Sequence, residues 1–386
     1  MNLLIERGPA AAAMSRAIGI VEKRQIIPIL GNVALFADGA TLTVRATDLE
    51  GEVLETIPAV VDGAGSITVP ADKLHAIFSN ADGGSQIKIA IEEGDPRAKV
   101  RFGRSNYSLP TLPAHNFPQF PHDGLDEGFD LPAATLAEMI SRVAWSTEAG
   151  DKLSIKGVVF LGTQEIEGVG RQLHAMGACN AGLSLVRMEA PEAARLSVLM
   201  PPKVSSHIRS WLNGAEGTAR VRCAYGQGED RPATLIQVQH GGATYTSKLF
   251  DAPGYFDYVA RLVEGHDHSA RVARDELERA IRRVLVMADG KTSTLNLTFN
   301  DGSLSIRARG DASGEGIEEI GAEFEGPESV MMFTGSHLLN ALGAMRGDIV
   351  ELCFAPKATA EYITGLVVLR APCDSGLLIN AMQPKA

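Results

Sequence analysis

At 386 residues, 45% of them hydrophobic, the chain is long enough for two to four domains, each with a sizeable core. A formal net charge of -11 excludes a uniformly basic nucleic-acid binder. The four cysteines, Cys179, Cys223, Cys353 and Cys373, have neither the Cys-x-x-Cys spacing of a zinc knuckle nor the density of a disulfide scaffold. No apolar run of about 18 residues occurs, and Glu6 and Arg7 follow Leu3, Leu4 and Ile5, the inverse of a secretory leader; the expectation is a cytoplasmic protein with no membrane partner.

Taken in chain order, residues 9 to 24 carry Ala10, Ala13, Met14, Ala17, Ile18 and Val21 at steps of three and four, which predicts an amphipathic helix opened by Pro9. Val33, Leu35, Leu42, Val44 and Ala46 then alternate with small or polar residues around Asp38-Gly39, the pattern of a β-hairpin buried on one face. A second helix is predicted over residues 69 to 78, a strand over 86 to 92 and an antiparallel pair around 101 to 109. Pro110, Pro113, Pro118 and Pro121 close this first unit in extended chain.

The same order recurs twice. Helices are predicted over 129 to 143 and 198 to 212 around a hairpin at 155 to 180, then over 272 to 285 and 333 to 346 around a hairpin at 294 to 320. With Ala71, Pro202 and Ser336 as matching helix starts, the spacings are 131 and 134 residues. The fold class expected is therefore α+β: three similar domains, at 1-122, 123-265 and 266-386, each with helices on one face of antiparallel sheets.

Charge is unevenly placed along this repeat. Over residues 9 to 24, 71 to 81, 132 to 145, 202 to 212, 275 to 287 and 336 to 346 there are eleven Arg or Lys against six Asp or Glu. That net of +5 leaves -16 for the rest of a chain whose total is -11. Helices on one side and sheets on the other would give a basic surface inside an acidic body, suited to a polyanion held loosely; ordinary mixed charge on solvated helix faces is the alternative.

No catalytic constellation is present. Gly290-Lys291-Thr292 ends like a phosphate-binding loop, but Leu285 stands where its glycine is needed, and no Gly-x-Ser-x-Gly or His-Glu-x-x-His occurs. His266-Asp-His268 lies in a polar linker without a further ligand nearby, and His115 and His122 flank the proline-rich stretch, so all read as surface residues. Asp48, Glu50 and Glu52 alternate along one strand and read as a solvated edge rather than an acid-base pair. No catalytic residue, metal ligand or cofactor is expected.

Arg24 to Glu52, Thr68-Val-Pro-Ala-Asp-Lys73, Gly103 to Ala114, Thr246 to Leu249 and Phe333 to Met345 resemble the bacterial DNA polymerase III beta subunit, the replication sliding clamp, and the resemblance runs over essentially the whole chain. It implies a DNA clamp fold that forms a ring, a head-to-tail homodimer whose helices line a hole for duplex DNA. The polymerase III alpha subunit, the clamp loader and other proteins with a clamp-binding motif would be its partners. DNA contacts are then expected from Arg16, Lys23, Arg24, Lys73, Arg142, Lys203, Arg209, Arg279, Arg282, Arg283 and Arg346, weak and shifting so that the ring slides. The implied dimer interface sets Lys73, Tyr107 and Leu109 of one copy against Val286 and Met287 of the other.

The family's partner pocket departs from its usual pattern here. Gly170, Arg171, Gln172 and Leu173 stand in a wall that usually reads Ala-Thr-Asp-Gly-His-Arg-Leu-Ala. Phe256, Asp257 and Tyr258 replace Phe-Pro-Asp-Tyr, and Asn380, Ala381 and Met382 stand at the usual Met-Pro-Met-Arg ending. With Ile155, Leu378 and Ile379 these residues make the expected pocket. Altered peptide specificity is one implication; a divergent paralogue or ring-forming scaffold that no longer tethers the standard polymerase is the other.

Overall fold

The computed structural model describes residues 1–22, 26–92, 94–148, 159–179, 182–226, 233–250, 266, 268–288, 294–310, 314–354, 366–373 and 376–382. The first repeat runs β1 (Asn2–Glu6), α1 (Arg7–Ile18), β2 (Asn32–Asp38), β3 (Thr41–Thr47), β4 (Gly51–Pro58), β5 (Val60–Gly63), β6 (Gly65–Pro70), α2 (Ala71–Ser79), β7 (Gln86–Ala90), β8 (Arg97–Phe102) and β9 (Ser105–Pro110). The second runs β10 (Phe129–Pro132), α3 (Ala133–Glu148), β11 (Val159–Ile166), β12 (Gly170–Cys179), β13 (Gly182–Glu189), β14 (Ser197–Met200), α4 (Pro202–Leu212), β15 (Thr218–Tyr225), β16 (Ala233–His240) and β17 (Ala243–Lys248). The third runs β18 (His268–Ala273), α5 (Arg274–Val284), β19 (Thr294–Asn300), β20 (Ser303–Gly310), β21 (Gly314–Gly321), β22 (Ser329–Thr334), α6 (Gly335–Gly343), β23 (Ile349–Phe354), β24 (Val367–Cys373) and β25 (Gly376–Met382).

Four antiparallel sheets result, in the orders β5-β1-β7-β8-β9, β10-β15-β16-β17-β4-β3-β2-β6, β14-β11-β12-β13-β25-β24-β23-β18 and β21-β20-β19-β22. Two of the sheets cross repeat boundaries: β17 of the second repeat pairs with β4 of the first, and β25 of the third with β13 of the second. The chain accordingly divides into two compact units, residues 1–134, 206–229 and 233–249, and residues 135–205, 230–232 and 250–386, so a shared sheet joins parts of neighbouring repeats.

The helices form because their apolar residues recur at helical spacing. Ala10, Ala13, Met14 and Ala17 of α1 bury one stripe against α2 and strands β3 and β4, and the three alanines let the backbones approach closely. Phe78 and Leu74 of α2 are fully buried in the same core, where each contributes about 2 kcal/mol relative to exposure. In the third repeat Leu277, Ala280, Ile281 and Val284 of α5 are buried, and Phe299, Phe324 and Phe354 meet with centroids 5.7–6.3 Å apart. Pro202 opens α4 at its first residue, whereas α1 begins two residues before Pro9.

One expectation about the first hairpin needs correcting. Glu52 is not on a solvated edge: its side chain is 1% exposed and is held by Arg45 at 3.0 Å and His122 at 2.9 Å. Burial raises its carboxyl above the usual range, and the two basic partners act against that rise. His122, expected at a bland surface, thus ties the interdomain stretch to β4.

Candidate nucleic-acid interface and partner surfaces

The predicted cations occupy different electrostatic settings, and intramolecular carboxylates claim several of them. Arg16 of α1 grips Glu55 of β4 with two hydrogen bonds, its Nε donating at 2.6 Å. Arg283 of α5 makes the matching fork with Glu318 of β21, at 2.8 Å for each bond. Arg142 of α3 is buried, binding Glu138 at 2.7 Å and donating to the Ala344 carbonyl at 3.1 Å, while Arg346 approaches the same Glu138 at 3.3 Å. Arg282 pairs with Glu278 one turn earlier.

The remainder are better placed to meet a phosphate. Arg279 is exposed on α5 and Arg209 is half-buried on α4, neither in an ion pair among the described residues. Lys73 is 67% exposed at the start of α2 beside Asp72 at 3.3 Å, and Lys203 is exposed on α4. Lys23 and Arg24 lie outside the described residues. A surface whose guanidinium groups are partly neutralised by their own chain would hold a polyanion weakly.

Two sheet edges end without a partner strand among the described residues, β9 in the first repeat and β21 in the third. Apolar side chains crowd both: Tyr107 is 38% exposed on β9, Ile317 is 53% exposed on β21, and Val286, just past α5, is 78% exposed. Leu109 is buried beneath β9, and Met287 lies over Gly316 of β21. Unpaired edges with exposed apolar residues favour association with another strand.

The strand of residues expected in the partner pocket divides between two faces. Asn380 is fully buried toward α6: its amide donates to the Ala341 carbonyl at 3.1 Å and its Oδ1 accepts from Ser184 at 2.6 Å. Alternation along β25 puts Leu378 and Met382 on Asn380's side, while Ile379 points the other way. There Ile379 joins Phe160, Met176, Leu183, Leu185, Leu199, Cys353 and Val368 in an apolar cluster that spans the seam between β13 and β25. Gln172 shares Met176's face and Leu173 the opposite one, with Gly170 and Arg171 at the start of β12. Ile155, Phe256, Asp257 and Tyr258 fall outside the described residues.

Next to that cluster the face turns polar in a way the sequence did not announce. His174 of β12 stands opposite Arg187 of β13, and Arg187 stands opposite Leu377 of β25. Burial, aided by the Arg187 charge, pushes the His174 imidazole down to about 4. Its unfolded state keeps the ordinary value near 6.5 and so binds the proton first as pH falls. This stabilisation is complete above pH 6.5 and is lost between 6.5 and 4, up to about 3 kcal/mol. Thermal midpoints measured at pH 7, 5.5 and 4.5 should fall more steeply for the native chain than for His174→Gln; parallel curves would show that this imidazole does not set the acid limit.

Comparison with known proteins follows the geometry. The N-terminal domain of the DNA polymerase III beta subunit matches residues 1–121, and its C-terminal domain matches residues 262–364. A beta sliding clamp of Caulobacter vibrioides is 27% identical over 379 residues, 98% of each chain. One from Pseudomonas putida is 30% identical over 367 residues, 94% of this chain and 95% of the relative. Among solved structures, the Caulobacter crescentus beta sliding clamp superposes with a TM-score of 0.90 at 26% identity, covering 100% of this chain and 99% of that one. The Pseudomonas aeruginosa clamp solved with bound griselimycin gives 0.86 at 26% identity, covering 100% and 99%.

Proposed function

The chain belongs to the beta sliding clamp family of bacterial DNA polymerase III, and from that premise we propose how its own residues close the ring, meet DNA and receive partners. As a sliding clamp it serves DNA replication as a processivity factor. Among the described residues no helix is long and apolar enough to cross a membrane, and no group of side chains is suited to a metal. The reading is of a non-catalytic subunit made of three domains, 1-122, 123-265 and 266-386, whose partners are duplex DNA, a second copy, the polymerase III alpha subunit, the clamp loader and other clamp-binding proteins.

The observation that carries the ring is a rule shared by the two internal seams. At each, the last strand of one repeat pairs with the fourth strand of the preceding repeat: β17 with β4, β25 with β13. Applied once more, the rule leaves β9 of the first repeat and β21 of the third, which can satisfy each other only between two copies. A head-to-tail dimer follows, because each copy offers one edge of each kind.

The seams also fix a register. Tyr245 and Leu378 stand two residues past the hairpin-closing positions Ala243 and Gly376, as Tyr107 stands two past Ser105. They oppose Val53 and Val186, whose neighbours on the other side are the buried Ala46 and Ala175; the matching residue of the third repeat, opposite Ala308, is Gly316. Tyr107 of one copy is therefore read as lying over Gly316 of the other, where the missing side chain leaves room beside Met287. This agrees with the interface of Lys73, Tyr107 and Leu109 against Val286 and Met287 that family resemblance implies.

DNA is read as meeting the helical layer through Arg279, Arg209, Lys73 and Lys203, with Arg16, Arg142, Arg282, Arg283 and Arg346 restrained by carboxylates. The apolar cluster at the β13–β25 seam is read as the floor of the partner pocket. The test is loading on nicked circular DNA with a clamp loader, then linearisation and gel filtration. Co-elution with the circle that is lost on cutting is the expected result. A dimer that never co-elutes, with a loader active on its own clamp, would refute encirclement and favour a ring-forming scaffold.

A further inference from the structure

We infer that Arg187 selects among partner peptides by receiving a carboxylate from the docked chain; the inference rests on reading the β13–β25 seam as the pocket floor. Arg187 sits mid-sheet, flanked by His174 on one neighbouring strand and Leu377 on the other, on the face that carries Leu185, Met176 and Ile379. Its Nε is withdrawn from solvent and has no hydrogen-bond acceptor among the described residues. Glu189, two residues along the same strand and exposed, makes no ion pair with it among the described residues.

A desolvated guanidinium without a counter-charge is destabilising, by an amount that for buried ions reaches several kcal/mol. In Arg187 burial alone lowers the pKa, with no neighbouring carboxylate acting against it. By contrast Arg16, Arg142, Arg282 and Arg283 each find a carboxylate within the chain. The opposite His174 is neutral at physiological pH, so it neither supplies the missing negative charge nor adds a second positive one.

The unmet need is for a planar, bidentate anion, which a peptide carboxylate provides and a neutral amide does not. Geometry adds a spacing. Arg187 and Leu185 project from the same face two residues apart, roughly 7 Å along the strand. An extended peptide with its apolar anchor over Leu185 and Ile379 would bring to Arg187 a side chain two positions away. The partner is thus a short peptide with an Asp or Glu two residues from a large apolar anchor. The chain's own net charge of -11 disfavours acidic ligands in general, so a preference for one would be local.

The experiment uses the full-length protein and two labelled peptides, fluorescein-Gly-Asp-Ser-Leu-Phe-Gly-amide and its twin with Asn for Asp, titrated by anisotropy at fixed salt. Wild type should bind the Asp peptide about tenfold more tightly. Arg187→Gln should bind both alike, near the affinity wild type shows for the Asn twin, and Arg187→Lys should keep part of the preference. Equal affinity of the twins for wild type, or a preference that survives in Arg187→Gln, overturns the role of Arg187 and leaves the pocket reading standing. Binding of neither twin by a folded wild-type dimer overturns both.

Discussion

Val286→Glu is expected to turn the dimer into monomer at micromolar concentration while leaving each chain folded. Val286 is 78% exposed and belongs to no core cluster, so glutamate there costs the isolated chain almost nothing. In the proposed ring the same side chain is covered by the partner's β9, close to the Tyr107–Gly316 pairing. Burying a carboxylate in an apolar contact without a cation is destabilising by about 3 kcal/mol or more, a hundredfold or greater rise in the dimer Kd. The register sharpens the test, because Arg283, the nearest guanidinium on the same helix, is already occupied by Glu318. Sedimentation velocity would read the change, with far-UV circular dichroism to establish that the fold persists. Val286→Leu should remain dimeric. If Val286→Glu stayed dimeric at nanomolar concentration, the β9–β21 junction would be misassigned whatever the family relationship.

Much of the fold was legible because the signals for it are local. Val33, Leu35, Leu42, Val44 and Ala46 alternate with period two around Asp38 and Gly39, and the observed strands β2 and β3 end at Asp38 and start at Thr41. The third hairpin is as clear, with β19 and β20 closing on Asn300 and Ser303. Alternation reports which residues share a face, and turn residues report where direction reverses. Helix starts were less sharp: Pro9 marks the first turn of α1 without being its first residue, since proline lacks only a donor that the first turn leaves unused.

What stayed hidden depends on contacts distant in sequence. Glu52 looked solvated beside Asp48 and Glu50 because nothing near it announces His122, 70 residues away. Arg16 looked like a free helix cation because Glu55 is 39 residues away. The seams are less accessible still: that β17 joins β4 and β25 joins β13 follows from pairing between repeats, which strand propensity does not encode. A one-residue uncertainty in aligning the C-terminal strand also exchanges its faces, and Asn380 shows the consequence.

Asn380→Ala is expected to lower stability by about 2–4 kcal/mol and to leave peptide affinity unchanged. Were Asn380 a pocket wall, the opposite pattern would hold, with altered binding and little loss of stability. The structure favours the core role on three grounds. Its side chain is fully buried, it accepts from the Ser184 hydroxyl at 2.6 Å, and it donates to Ala341 at 3.1 Å. Ala341 lies in the last turn of α6, where carbonyls run out of backbone donors; the Met345 amide, which would otherwise reach it, bonds Leu342 instead at 3.0 Å. Asn380 thus acts as a side-chain cap brought from a strand 39 residues downstream. Truncation strands a buried carbonyl and a buried hydroxyl together and opens a small cavity, and these losses add because no water-exposed route relieves them. Chemical denaturation paired with the peptide titration separates the two roles: a normal midpoint with weakened binding would move Asn380 back to the partner pocket and require β25 to be turned over.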